Sequence, residues 1–118
     1  MRERLIQDYI RDIVDAMAKA EEFVAGMDYE TFNKDDRTNY AVVRAFEIIG
    51  EATKKVPSPI RKKFAAIPWK SLAGMRDKLI HDYFGFSKEV VWRTIKEDIP
   101  TVKAEMEKVL AYVTEQER

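Results

Sequence analysis

The 118-residue chain contains no cysteine. That excludes a disulfide framework, a thiolate zinc site and a cysteine nucleophile. It has only four glycines and four prolines, too few breakers for an all-β domain with many turns. No stretch approaches the ~18 apolar residues of a membrane span. The N-terminus is charged from Arg2 and has no apolar signal core, so a cytoplasmic protein is expected. Net charge is also missing, with 21 Lys+Arg against 21 Asp+Glu. Taken as a total, that speaks against whole-surface binding to a polyanion. What remains is 46% hydrophobic and 36% charged, a globular balance for a single domain spanning residues 1–118.

Helical spacing dominates the chain. Ile6, Tyr9, Ile10, Ile13, Met17, Ala20 and Val24 recur at steps of three and four, predicting an amphipathic helix over about 2–24 with Gly26 as C-cap. Residues 26–34 read as a connector or short turn. A second helix is predicted over about 35–55, with Ala41, Ala45, Ile48, Ile49, Ala52 and Val56 on one face. Tyr40, Arg44, Glu47 and Glu51 share another face. Pro57 stops it, and Ser58-Pro59 predicts an N-cap and first turn of a short helix through Phe64. Pro68 opens the next helix, with Trp69, Leu72, Met75, Leu79, Ile80 and Tyr83 as its stripe and Gly85 as its end. Ser87 caps a helix over 88–98, which Pro100 is expected to break. Thr101 to Gln116 forms the last. The expected fold is all-α, an up-and-down antiparallel bundle of five to six helices.

The neutral total hides a segregation. Residues 54–78 hold Lys54, Lys55, Arg61, Lys62, Lys63, Lys70, Arg76 and Lys78 against the single acid Asp77. This excess of seven is a local footprint of the kind that attracts phosphates, although a solvated helix face is the blander reading. The only histidine, His81, follows directly in Arg76-Asp77-Lys78-Leu79-Ile80-His81-Asp82-Tyr83. Arg76 falls near the middle of an apolar stripe, which is costly for an unpaired guanidinium. It could pair with Glu47 or Glu51, line a subunit interface, or await an anion. Asp77 lies four residues before His81 and can orient its ring. A metal site from Asp77, His81 and Asp82 would be weak, with one imidazole and no separate carboxylate cluster. No cofactor motif is present.

The segment has the form R-x4-H-x-Y and resembles the signature of HEPN ribonuclease domains, specifically HepT-like toxins. Tyr40 to Ala52, ending in I-I-G-E-A, resembles the second helix of that family. Pro68-Trp69-Lys70, Val91-Trp92-Arg93-Thr94-Ile95 and Asp98-Ile99-Pro100 add to the resemblance, in order. It implies a homodimer whose two motifs face one cleft, where RNA is cut without metal. Arg76 and His81 would be the catalytic pair, supported by Asp77 and Glu51. The basic residues Lys54, Lys55, Arg61, Lys62, Lys63, Lys70 and Lys78 would contact RNA. The resemblance also implies the toxin half of a type VII HEPN–nucleotidyltransferase pair, with Tyr83 the residue to which an MntA-type antitoxin attaches AMP. Added phosphates there would repel RNA. The sequence leaves two alternatives open. One is a non-catalytic RNA- or nucleotide-binding partner of a minimal nucleotidyltransferase. The second is a plain structural bundle with a satisfied histidine.

Overall fold

The structure, a computed structural model, describes residues 3–81 and 87–118, with the backbone alone over 76–81. Among the described residues every regular element is helical. The elements are α1 (Ile6–Phe23), α2 (Tyr29–Lys34), α3 (Asp36–Thr53), α4 (Ser58–Lys63), α5 (Trp69–His81), α6 (Lys88–Arg93), a π turn (Thr94–Asp98) and α7 (Ile99–Gln116).

The predicted stripes form the core. Ile10, Ile13, Met17 and Ala20 of α1 are buried to the last atom. Ala45, Ile49 and Ala52 of α3 meet them, with Val56 just beyond, while Ala41 and Ile48 of the same stripe are half-buried. Met106, Val109 and Val113 of α7 complete the layer. α1 packs on both α3 and α7, and α3 carries α5 along its far side.

α1 and α7 run antiparallel, and both ends of the pair are tied. At one end the Glu117 carboxylate accepts from the backbone N–H of Ile6 (3.0 Å) and of Gln7 (2.8 Å). The Asp8 carboxylate accepts from the Leu5 N–H at 2.8 Å. Donors that an α-helix leaves unpaired in its first turn are thus satisfied. At the other end Lys103 pairs with Glu21.

Two short elements differ from expectation. The stretch 26–34 is not only a connector: Gly26 turns the chain at φ +77°, two residues beyond the C-cap Val24, and α2 follows. Six residues are too few to show a period, so α2 is held by its ends and its neighbours. Asp28 accepts from the Thr31 N–H at 2.8 Å, and Phe32 is fully buried. The α4 cap falls on Pro57, one residue before the expected Ser58.

Pro100 does not break the last helix. α6, the π turn and α7 follow without interruption. Proline lacks an N–H, and its ring crowds the carbonyl four residues back. Here the backbone widens just before it, and the Ile99 N–H reaches the carbonyl of Thr94, five residues back. The ring is accommodated in a wide turn instead of ending the rod.

Asp28 and Asp35 cap α2 and α3, and the N–H groups of Thr31 and Thr38 hold both carboxyls below their ordinary 3.8. Lowered folded values mean that the stabilisation is present above the unfolded pKa and is lost as pH falls through the folded one. The melting temperature is expected to drop as pH is taken below about 4, and D28N/D35N should show a shallower acid arm. Melting curves recorded from pH 5 to pH 2 check this; parallel acid arms for the two proteins would refute it.

Candidate active site

The R-x4-H segment is carried by α5. Its first half is fastened: Trp69 and Leu72 are buried, and the Trp69 indole N–H donates to the Phe64 carbonyl at 3.0 Å. Its helical backbone continues through Arg76, Asp77 and Lys78 to His81. Arg76 and His81 therefore sit on one helix with their Cα atoms about 7.5 Å apart along its axis. Asp77 stands one helical repeat before His81. Asp82, Tyr83 and the expected helix end at Gly85 lie outside the described residues.

A groove of about 610 Å³ opens beside this helix. Ser71, Leu72 and Met75 of α5 form one wall, and Val90, Val91, Thr94 and Ile99 form the opposite one. Met17 and Phe46 also line it, and Glu97 and Asp98 bring carboxylates to it. Met75, immediately before Arg76, belongs to its lining. The π turn thus builds a wall next to the helix that carries the motif. No residue-type motif announces this wall. The signal is the spacing Val91, Ile95, Ile99, which runs in fours straight toward Pro100 and leaves all three buried.

The outer stripe of α3 is solvent-facing. Tyr40 is 65% exposed, Arg44 and Glu51 are exposed, and Glu47 is half-buried.

The basic residues separate by role. Arg61 is half-buried, and its guanidinium donates to the carbonyls of Thr53 (2.7 Å) and Val56 (3.0 Å). It closes the C-terminal end of α3. Lys63 lies over the Tyr112 ring at 4.8 Å. Lys54, Lys55, Lys62 and Lys70 are exposed. The run that sequence places next to the motif is thus spread over the turn after α3, α4 and α5. Lys70 and His81 are separated by about 16 Å of helix axis.

Among the described residues no three His, Asp or Glu side chains come together. No described helix is long and apolar enough to cross a membrane.

An all-α bundle with this motif at the end of a long helix fits the HEPN class of domains. The chain belongs to the HepT-like ribonuclease family, whose model matches residues 13–109. It is 48% identical over 103 residues to a protein of Thermococcus cleftensis named probable ribonuclease HepT, covering 87% of this chain and 94% of that one. A candidate RNase of Methanocaldococcus jannaschii is also 48% identical over 110 residues, covering 93% and 95%. A candidate RNase of Caldanaerobacter subterraneus is 42% identical over 102 residues, covering 86% and 91%. No solved structure matches.

Proposed function

We propose that this HepT-like ribonuclease is a single-domain, metal-independent RNA endonuclease that works as a homodimer in the cytoplasm. What carries the reading is family membership over residues 13–109 together with the R-x4-H-x-Y segment at 76–83. The chemistry follows from the residue types. RNA holds its own nucleophile, the 2′-OH beside each phosphate. A base must take its proton, and an acid must protonate the leaving 5′-oxygen. His81 has the side chain for either task, and a dimer supplies two copies. Arg76 binds the phosphate through two parallel N–H donors and offsets the charge that builds on it. Asp77 orients the imidazole, and Glu51 supports the arginine from α3. Lys78 and the lysines that precede the motif draw in the backbone of the RNA.

In the same proposal the protein is the toxin of a type VII pair. A cognate MntA-type nucleotidyltransferase neutralises it by attaching AMP to Tyr83, and the added phosphates repel the substrate.

The purified chain, incubated with total RNA in the presence of EDTA, should leave fragments ending in 2′,3′-cyclic phosphate and beginning with a 5′-hydroxyl. Intact RNA under these conditions and with added divalent metals would reject the enzyme assignment. Cleavage restored only by metal would reject the mechanism.

A further inference from the structure

Lys55, Lys62 and Lys70 come from three successive segments: the turn after α3, α4, and the first turn of α5. Two contacts bring those segments together. Arg61 ties α4 back to the end of α3, donating to the Thr53 carbonyl at 2.7 Å and to that of Val56 in the turn beyond it at 3.0 Å. The Trp69 indole pins the start of α5 to the end of α4. All three lysines are exposed. No acid occurs anywhere between Ala52 and Arg76.

Three acids of α7 are engaged elsewhere. Phe64 and Tyr112 pack edge to face at 5.6 Å, so the C-terminal part of α7 borders α4. At that end of α7, Glu117 accepts from the α1 backbone and Glu115 pairs with Arg118 at 3.6 Å, and two turns before Tyr112 Glu105 pairs with Lys108 at 3.0 Å.

We infer that Lys55, Lys62 and Lys70 form an anchoring site for the RNA sugar–phosphate backbone, set apart from the cleavage point. The inference rests on the ribonuclease reading and adds a geometry to it. Arg61 is built into the bundle and holds the platform, and Lys63, though exposed, lies over the Tyr112 ring; Lys55, Lys62 and Lys70 meet the phosphates. The axial distance from Lys70 to His81 is about 16 Å. Phosphates repeat about every 3.4 Å along a stacked strand, so anchor and cut are separated by about five stacked nucleotides, fewer on an extended strand. Short RNAs would reach the motif without touching the anchor. Longer ones would engage both.

The test uses K55Q/K62Q/K70Q in the full chain. A charge-matched control, K19Q/K34Q/R37Q, removes three exposed cations elsewhere. The probe is a fluorescent mixed-sequence RNA of about 12 nucleotides, titrated across a series of KCl concentrations, with cleavage rates measured in parallel. Three phosphate contacts on a single strand predict a salt slope smaller by about 2 for the lysine triple variant. The rise in its KM, tenfold or more at low salt, should exceed any fall in kcat. The control should keep the wild-type slope. An unchanged slope and KM in the lysine variant, with wild-type cleavage intact, would overturn the anchor and leave the ribonuclease reading standing. Equal losses in both variants would overturn it as a bulk charge effect. Loss of binding to phosphatidylserine vesicles with RNA binding untouched would overturn it in favour of a membrane surface. A wild-type chain that neither binds nor cuts RNA would remove the ribonuclease reading itself.

Discussion

Replacing His81 with alanine is expected to reduce RNA cleavage by about 10²- to 10⁴-fold, the usual contribution of a positioned acid or base. The experiment is unusually clean here, because His81 is the only imidazole in the chain. No neighbouring histidine can substitute. Arg76→Ala should cost a comparable 10²- to 10³-fold through lost stabilisation of the charged transition state. Arg76→Lys keeps the charge but loses the planar fork, so it should recover only part of the rate. Helical circular dichroism recorded on each variant should match the wild type, and a lost helical signal would mark a folding defect instead of a catalytic one. The dimer can be tested with the same variant. If the two histidines act as acid and base across one cleft, a mixed dimer with one His81→Ala copy is as inactive as the doubly substituted one. Half the wild-type rate would instead mean two independent sites. Cleavage at the wild-type rate by purified His81→Ala protein would end the catalytic assignment.

The largest expected loss of stability comes from Phe32→Ala. Phe32 sits on a helix of six residues, too short to persist alone, and its ring is fully buried. It lies 5.3 Å from the Trp92 ring and 6.5 Å from the Tyr29 ring, centroid to centroid. Tyr29 and Trp92 also meet edge to face at 6.1 Å. This aromatic group joins α2 to α6, helped by Lys88, which donates to the Asn33 carbonyl at 2.9 Å. Truncating a buried phenylalanine costs about 3–5 kcal/mol, a large share of the stability of a small domain. The melting temperature should fall by more than about 10 °C, and Trp92 emission should shift toward the red as the ring becomes wetter. Phe32→Leu should recover most of the loss. A fall of under about 3 °C for the alanine variant would show that the aromatic group is not what holds α2.

His81 and Phe32 mark how differently site and fold can be read from a sequence. The long helices are legible because each carries its apolar residues through four or five turns, enough for a period to stand out. Ile10, Ile13, Met17 and Ala20 are expected on one face and are buried there. α2 is not legible, since one and a half turns contain a single core residue and a cap. Pro100 misleads because its local cost is plain in the sequence and the wide turn that relieves it is not. The site is legible as a string of residue types, and its family is recognisable from them. Its spatial relation to the basic segment is not, because neighbours in sequence become distant along a rigid helix. Lys70 and Lys78 belong to one run of charge, yet eight residues of helix separate them by about 12 Å.

The π turn at Thr94–Asp98 sets a limit on which insertions and deletions the chain tolerates. Each residue added to or removed from a continuous helix rotates everything beyond it by about 100°. Between α1 and α2 a change of length is absorbed by the turn around Gly26, and no core face moves. Between Val91 and Ile99 there is no such slack. The wide turn already holds one residue more than a plain α-helical path, so a single deletion would tighten it around Pro100 at the cost the turn now relieves. An added residue would rotate Met106, Val109 and Val113 away from α1 while the Glu117 clasp holds the far end in place. Across relatives of this chain, length variation should therefore collect in the connector before Asp28 and avoid the eight-residue interval that joins Val91 to Ile99.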